Sequence, residues 1–300
     1  MKKKIALLII ILLFFILCLP NIYNPGINLD EGEAAITCDH MFKDVSMLIH
    51  QGLLLSESDV LLPHEGVLPG YYITLFNRIF PIMHGPYTGR IQVYLMFIIS
   101  RIFGVNVFSL RLTPIVISAI TIIFIYLLCK LWFGYRVAVI TALLTATNLY
   151  FVQYARVGYY REEVFVMCFF WAGFFLIGKY LQERKFPFLY LSLFLLGLGL
   201  SVKLTMVFYL VALSAVFILL NNEFHVLSGI NIKRACLALF SFFLGSFYLI
   251  LFNLLEAGRS FKFLFNSLTQ VSYSKYDNLA YPHNLWQRAN HLIKLYAKRQ

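Results

Sequence analysis

The stretch SLRLTPIVISAITIIFIYLLCKLW, residues 109–132, decides the class of fold. It is almost wholly apolar, and its charged residues, Arg111 and Lys130, lie near its two ends. About 20 apolar residues are enough for a helix to cross the roughly 30 Å hydrocarbon core of a bilayer. The stretch therefore predicts a helix that spans a membrane.

The composition of the whole chain supports the same interpretation. Of its 300 residues, 60% are hydrophobic, 17% are aromatic and only 13% are charged, which is more apolar surface than one soluble core can bury. The net charge of +11 comes mostly from Lys and Arg at the ends of apolar runs, where they set orientation in the membrane. The sequence thus predicts an integral membrane protein and no nucleic-acid partner.

Apolar runs of suitable length recur along the chain. They predict an all-α, polytopic fold with about seven transmembrane helices. The predicted spans lie near residues 5–23, 109–132, 135–154, 164–181, 187–202, 204–220 and 235–255. The first run looks like a signal peptide, but no small-residue cleavage site follows it, so it is interpreted as a retained anchor.

Basic residues in the short loops give the orientation. Lysines at 2–4 and the basic residues of alternate loops fall on one side, which makes the N-terminus cytoplasmic. The outer side then receives a first loop (24–108), a turn at 154–163, a turn at Lys203 and a tail at 256–300. The predicted location is the plasma (inner) membrane, with the candidate site on the outer face.

The first outer loop carries patterns typical of helices that lie in the membrane interface. Apolar residues at three- and four-residue spacing predict one helix from Cys38 to Ile49, which Gly52 would end. A second helix over 89–104 is short for a full span. A third amphipathic stripe follows at 285–296.

Three carboxylates, Asp30, Glu31 and Glu33, lie in the segment PGINLDEGEAAI directly after the first span. One interpretation is helix capping, because Asn28 with Glu31, or Asp30 with Glu33, has the cap-to-third-residue spacing. The other is catalysis, since the low dielectric near a membrane can raise a carboxylate pKa and make the group a useful base. A carboxylate can serve both purposes, so both interpretations stay open.

The turn YARVGYYREE brings further charges to the same outer side. Glu162 and Glu163 would complement the positive N-terminal end of the next helix. Arg156 and Arg161 are harder to explain, because cations near a helix N-terminus are unfavourable unless an anion meets them. The turn is therefore either an ordinary helix start or part of an anion site.

Two more residues have equally simple alternatives. Lys203 lies alone in a long apolar stretch, where it either snorkels from the turn between two spans or holds a phosphate. His84, in MHGPY, is either a turn histidine or a supporting residue of a site. Only Cys38 of the five cysteines falls in a polar loop, and none has the spacing of a metal site.

The order of these motifs resembles the C-type glycosyltransferase superfamily, in particular the branch of protein O-mannosyltransferases and lipid A aminoarabinose transferases. The pair Asp30 and Glu31 matches the Asp-Glu pair that the family places soon after its first span. The resemblance covers about residues 1–220. The later matching motifs are, in chain order, HGPY (84–87), a helix closing on IFG (102–104), SLRL (109–112), YARVGYYREEVF (154–165) and GLGLSVKLTM (197–206).

The sequence also departs from the family pattern. The acidic pair at 162–163 stands where Asp is more usual, and His84 with the glycine after it stands where some relatives have an acidic residue and a lysine. The family is longer as well. We therefore expect a transmembrane glycosyltransferase module at 1–255 and an outer-face amphipathic tail at 256–300. The tail is either the start of a missing C-terminal part or the end of a minimal module.

The resemblance implies inverting transfer of a sugar from a polyprenyl-phosphate donor to a lipid, glycan or protein acceptor. Asp30 is then the general base that deprotonates the acceptor hydroxyl. Glu31 orients Asp30 or helps to hold a divalent metal, which is the one cofactor left open.

The cations have the complementary role in this interpretation. Arg156, Arg161 and Lys203 neutralise the phosphate of the departing lipid. Glu163, with Glu162, places these cations or the acceptor, and His84 supports the site.

A non-catalytic subunit that binds polyprenyl phosphate or takes part in lipid transport is the alternative, since outer-face cations alone would serve it. The Asp30 and Glu31 pair favours an enzyme, because two carboxylates would repel a bound phosphate. The predicted spans also lack ionisable residues near the middle of the membrane, where secondary transporters usually place them.

Overall fold

The computed structural model describes residues 2–20, 22–24, 29–50, 70–156, 161–219, 231–269 and Trp286. Most of these residues are helical, as the sequence predicts. The chain divides into two compact units, Met1–Leu251 and Phe252–Gln300. The candidate site residues all belong to the first unit.

Thirteen helices and three short strands make up the described part of the chain. The helices are α1 (Lys2–Cys18), α2 (Leu29–His40), α3 (Val45–His50), α4 (Ile91–Phe103), α5 (Val107–Phe133), α6 (Tyr135–Thr147), α7 (Leu149–Arg156), α8 (Arg161–Glu183), α9 (Phe186–Val202), α10 (Met206–Leu219), α11 (Ile232–Gly245), α12 (Phe247–Leu255) and α13 (Arg259–Thr269). The strands are β1 (Tyr71–Leu75), β2 (Arg78–Gly85) and β3 (Thr88–Gly89).

Two helices, α5 and α8, are long and apolar enough to cross a membrane. The consecutive pairs α6 with α7 and α11 with α12 reach that length together but bend between their members. The described residues therefore contain two to four candidate spans, against the seven predicted. Helices α1, α4, α9 and α10 are apolar but shorter, and α4 is the helix predicted over 89–104.

Helix α5 is central to the first unit, where it packs against α8, α6, α4 and α1. It begins with a capping box: Asn106 Oδ1 accepts the N–H of Ser109 at 2.9 Å, and Ser109 Oγ accepts the N–H of Asn106 at 3.2 Å. These bonds satisfy two backbone groups that a helix start leaves without partners. Buried Ile115 and Ile122 then pack in one core cluster with Phe14 of α1.

The span predicted over 135–154 is two helices, α6 and α7, bent by 57°. The break falls at Asn148, whose Oδ1 accepts the N–H of Phe151 at 3.0 Å. Asparagine favours such a position because its side chain offers the backbone a partner outside the regular helix. An average of hydropathy over the window does not register this single residue.

Glycines allow α9 and α11 to approach closely. A Cβ at Gly197 would lie 2.3 Å from the carbonyl oxygen of Phe242. A Cβ at Gly245 would lie 2.1 Å from the carbonyl oxygen of Phe194. This is the close backbone packing that small residues permit between membrane helices.

A three-stranded antiparallel sheet, in the order β1-β2-β3, lies in the segment between α3 and α4. It departs from the all-α prediction. Phe76 and Asn77 form the β1–β2 turn with φ of 52° and 59°, as a two-residue hairpin of type I′ requires. Glycine usually supplies one of these conformations, and its absence here removed the sequence signal for a hairpin.

The sheet also explains why the helix predicted over 38–49 is broken into α2 and α3. Phe42 takes a left-handed conformation, with φ of 64°, and its N–H donates to the carbonyl oxygen of Ile79 at 3.1 Å. The N–H of Val45 donates to the carbonyl oxygen of Asn77 at 3.0 Å. The hairpin thus supplies the hydrogen bonds that a continuous helix would have made.

The second unit contains helix α13. Its start is capped by Asn253, whose Oδ1 accepts the N–H of Ser260 at 3.0 Å. The amphipathic stripe predicted at 285–296 lies outside the described residues, apart from Trp286, which is exposed.

Candidate functional site

Glu31 and Arg111 form a buried, two-pronged ion pair between α2 and α5. Arg111 Nε and Nη2 donate to Oε1 and Oε2 of Glu31 at 2.7 and 2.9 Å, and both side chains are 1% exposed. Arg111 Nη1 also donates to the carbonyl oxygen of Ile22 at 2.6 Å. One guanidinium thus joins α2, α5 and the segment that follows α1.

This pair bears on both interpretations of the acidic segment. Helix α2 begins at Leu29, so Asp30 lies within its first turn, and the Asp30 side chain lies outside the described residues. Both carboxylate oxygens of Glu31 accept hydrogen bonds from Arg111. Because a buried charge without a partner is very unfavourable, the pair fixes the start of α2 and with it the position of Asp30.

Glu33, His84 and Arg90 form a second polar chain. Arg90 Nη2 lies 2.7 Å from His84 Nδ1, and His84 Nε2 lies 3.1 Å from Glu33 Oε2. Arginine only donates, so Nδ1 accepts, and a neutral ring then carries its proton on Nε2, the nitrogen nearer the carboxylate. His84, the predicted supporting residue, therefore lies between Arg90 and Glu33, which is one helical turn after Asp30.

Tyr72 lies beside this chain and is buried. Burial raises the pKa of its hydroxyl, while the nearby charge of Arg90 acts in the opposite direction. The phenol is therefore protonated at neutral pH, and it lies near the charges of both Arg90 and Glu33.

Lys203 and Glu163 form an ion pair between the end of α9 and the first turn of α8. The ammonium group is the less exposed partner, at 16% against 31% for Glu163. Within the described residues, Glu163 Oε2 is buried and has no hydrogen-bond partner. The pairing gives Lys203 an anion inside the protein, which simple snorkelling would not require.

The β2–β3 hairpin holds Lys203 in place. Thr88 forms an antiparallel bridge with Lys203, and the N–H of Leu204 donates to the carbonyl oxygen of Tyr87 at 3.0 Å. A Cβ at Gly89 would lie 1.8 Å from the carbonyl oxygen of Ser201, so only glycine permits this contact. The hairpin that carries His84 thereby also carries the contact to Lys203, and it links the two charged groups.

A groove of about 580 Å³ lies beside Glu163. Helices α6, α7, α8 and α10 contribute its walls. Its lining is mainly apolar and aromatic, with a few hydroxyl and amide groups: Thr141, Leu144, Thr145, Asn148, Tyr150, Phe151, Tyr154, Glu163, Met167 and Tyr209. Such a groove suits a ligand with a long apolar part and one polar end.

Three other predicted site residues, Arg156, Glu162 and Arg161, lie at the end of α7 and the start of α8. Arg156 ends α7, and its Nη2 donates to the carbonyl oxygen of Pro20 at 2.7 Å. Glu162 is buried, at 8% exposure. Arg161 begins α8, but its side chain lies outside the described residues. Arg156 and Arg111 therefore both donate to carbonyl groups just beyond α1.

The described part of the chain contains no group of three or more His, Cys, Asp or Glu side chains that could hold a metal ion. Its five cysteines are free thiols. The divalent metal that the sequence left open has no assigned ligands.

The apolar helices indicate a membrane protein. The ion pair of Glu163 with Lys203, beside an apolar groove, suits a ligand with a lipid part and an ionic part. The sequence model of the dolichyl-phosphate-mannose-protein mannosyltransferase family matches residues 91–250, more than half of the chain, and the chain belongs to this family. The expected family is thus confirmed. It is a family of membrane glycosyltransferases with lipid-phosphate-linked sugar donors. Comparison with curated proteins and with solved structures gives no match.

The matched region begins at the start of α4. It contains Arg111, Glu163 and Lys203, whereas Asp30 and Glu31 precede it. The contact between Arg111 and Glu31 therefore connects the matched region to the acidic segment.

Sequence reasoning did not identify the roles of Arg111, Arg90 and Glu33. Arg111 had a signal, because an arginine within an apolar run requires a partner. That partner lies 80 residues away, and no local pattern points to it.

Proposed function

We propose that the protein transfers a sugar from a polyprenyl-phosphate donor to an acceptor hydroxyl at the outer face of the plasma membrane. Membership of the mannosyltransferase family supports the reaction class and the lipid-phosphate donor. The acceptor is a lipid, a glycan or a protein, and the transfer inverts the anomeric centre.

The observation that carries this proposal is the Glu163–Lys203 pair at the groove. The groove offers an apolar surface to the polyprenyl chain. Lys203 forms an ion pair with Glu163, which lines the groove. A phosphate at this point would gain a charge-assisted hydrogen bond from the ammonium group. The same contact neutralises the negative charge that the leaving lipid phosphate acquires.

Asp30 is the proposed general base. The acceptor oxygen attacks the anomeric carbon, the bond between that carbon and the phosphate oxygen breaks, and Asp30 takes the hydroxyl proton. Polyprenyl phosphate leaves with the bonding electron pair. The buried pair of Glu31 with Arg111 supports this role because it orients the helical turn that carries Asp30.

The other residues assist in this scheme. Arg161 and Arg156 add positive charge for the phosphate, and Arg156 is anchored through its bond to Pro20. Glu163, with Glu162, places the cations, and His84 orients Glu33 next to the base.

Replacing Asp30 by Asn tests the central assignment. The change keeps the shape of the side chain but removes the proton acceptor, so transfer should fall roughly 10²–10⁴-fold. The assay follows a labelled sugar from a polyprenyl-phosphate donor to acceptor in membranes that contain the variant. Donor binding and thermal unfolding, measured on the same preparation, should match the wild type.

Asp44→Asn is the matched control, since it removes an exposed carboxylate from the same outer loop. Its transfer rate should equal that of the wild type. If Asp30→Asn also retains full transfer, Asp30 is not the base, and Glu31 and Glu163 become the candidates. If the wild type binds donor but transfers no sugar, the protein is a lipid-phosphate-binding subunit instead.

A further inference from the structure

We propose that a second, positively charged cavity beside α4 binds the phosphate group of an anionic amphiphile. The cavity has a volume of about 620 Å³. Its walls come from α2, the loop after α2, the β1–β2 hairpin and the C-terminal half of α4 with the turn that follows. It shares no lining residue with the groove beside Glu163, and the proposal does not rest on sugar transfer.

The charged groups in the cavity wall are Lys43, Arg78, Arg101 and Asp39. Three cations and one carboxylate leave a net charge of +2. Lys43 donates to Asp39 at 2.9 Å, and this hydrogen bond lowers the pKa of Asp39. Asp39 is therefore ionised at neutral pH and neutralises the charge of Lys43. The two arginines carry the remaining net positive charge of the cavity.

The two arginines have no carboxylate partner within the described part of the chain. Arg111, by contrast, is neutralised by Glu31. The guanidinium of Arg101 rests on the ring of Phe97, 5.7 Å from its centroid, and Arg78 stands at the hairpin turn. Two guanidinium groups at one cavity offer the planar, forked donors that phosphate oxygens prefer.

The rest of the cavity favours an amphiphile over a fully soluble anion. Met41 is 3% exposed, and the rings of Phe42 and Phe97 pack edge to face with centroids 5.3 Å apart. The lining ends at Val105, and α5, a candidate span, begins at Val107. The end of a spanning helix lies at the level of lipid headgroups, where an anionic phospholipid presents its phosphate beside its acyl chains.

The experiment measures binding by titration calorimetry on the full chain, purified in a nonionic detergent. The probes are dihexanoyl phosphatidylglycerol, dihexanoyl phosphatidylcholine and glycerol phosphate. The test variant is Arg78→Gln with Arg101→Gln. The matched control is Lys130→Gln with Arg136→Gln, which removes two exposed cations at the other end of α5.

Phosphatidylglycerol should bind the wild type and the control variant alike. The test variant should bind phosphatidylglycerol at least about tenfold more weakly than the wild type, which is the scale of lost charge-assisted hydrogen bonds. Tighter binding of phosphatidylglycerol than of glycerol phosphate identifies a lipid as the source of the phosphate. Equal binding of the two would overturn the amphiphile and assign the cavity to a soluble phosphate ester.

Three further results would overturn the proposal. They are unchanged phosphatidylglycerol affinity in the test variant, equal affinity of the wild type for phosphatidylcholine, and loss of phosphatidylglycerol binding in Lys203→Gln alone. The last would assign the anion to the groove. Thermal unfolding checks that the test variant is folded. If the test variant is unfolded, the affinity of the single variant Arg78→Gln is used instead. Arg78 is exposed at a hairpin turn and is not part of the core, so this change should leave the fold intact.

Discussion

Arg111 donates hydrogen bonds both to Glu31 and to the carbonyl oxygen of Ile22. Replacing it by Met would remove the counter-charge that Arg111 gives the buried carboxylate of Glu31, and breaking a buried ion pair in this way typically costs about 3–5 kcal/mol. We expect a large loss of stability in Arg111→Met, measured by chemical unfolding in detergent. The double variant Glu31→Gln with Arg111→Met should recover much of that loss, because it leaves no isolated charge.

The double variant also distinguishes this explanation from simple loss of packing. If Arg111→Met and the double variant are equally unstable, the missing side-chain volume is responsible and not the ion pair. If Arg111→Met is as stable as the wild type, the pair does not hold α2 against α5.

At the scale of residues, the sequence does not reveal the partners of the predicted site residues. Glu163 and Lys203 were both selected as site residues, yet their ion pair joins positions 40 residues apart. His84 was noted for its turn motif, while its contacts to Glu33 and Arg90 depend on the sheet. Partners of this kind follow from tertiary structure, which no local spacing records.

At the scale of elements, the hairpin contact to α9 can be tested with one methyl group. Gly89→Ala would place a Cβ 1.8 Å from the carbonyl oxygen of Ser201, so β3 must move away from the residues next to Lys203. Because a shift of about 1 Å can cost on the order of 10²-fold in rate, sugar transfer should fall by tens-fold or more. The same labelled-sugar assay measures it.

Gly85→Ala is the control for this change. It adds the same methyl group to the same hairpin, but a Cβ there meets nothing within 4 Å. Its transfer rate and melting temperature should match the wild type. Equal rates in both variants would mean that the hairpin does not position Lys203.

Element boundaries show where periodicity succeeds and where it fails. The long apolar helices α5 and α8 agree closely with the predicted spans, because their burial or lipid contact extends over the whole helix. The break at Asn148 and the break between α2 and α3 were missed. Each depends on one hydrogen-bonding arrangement, from an asparagine side chain in the first case and from a strand edge in the second.

At the scale of the whole molecule, orientation is the open structural prediction. Charges in the loops predict that positions 30, 163 and 203 face the outside. Single cysteines at these positions, in a background that lacks the native cysteines, should react with a membrane-impermeant maleimide added to intact cells. A cysteine at position 130 should react only after the cells are opened. Labelling of position 203 from the cytoplasmic side alone would separate it from the proposed base.

The whole-molecule prediction was right about the membrane and the family and incomplete about the architecture. Composition and motif order were enough for the former, since apolar content and family motifs are spread along the chain. Composition and motif order predict neither the number of spans nor the sheet between α3 and α4. Both depend on whether short apolar segments continue straight, bend or pair with one another.

The ion pair between Glu163 and Lys203 has a further consequence for the proposed donor site, because an anion that approaches Lys203 would compete with a tethered carboxylate. If the carboxylate has to move, the apparent dissociation constant of the anion exceeds the intrinsic one by the inverse of the fraction of molecules with a free lysine. Chloride and other abundant small anions would thereby be kept out at low occupancy. A phosphate that also gains affinity from an apolar chain could still bind, and its arrival would release a carboxylate at the groove when the donor is in place.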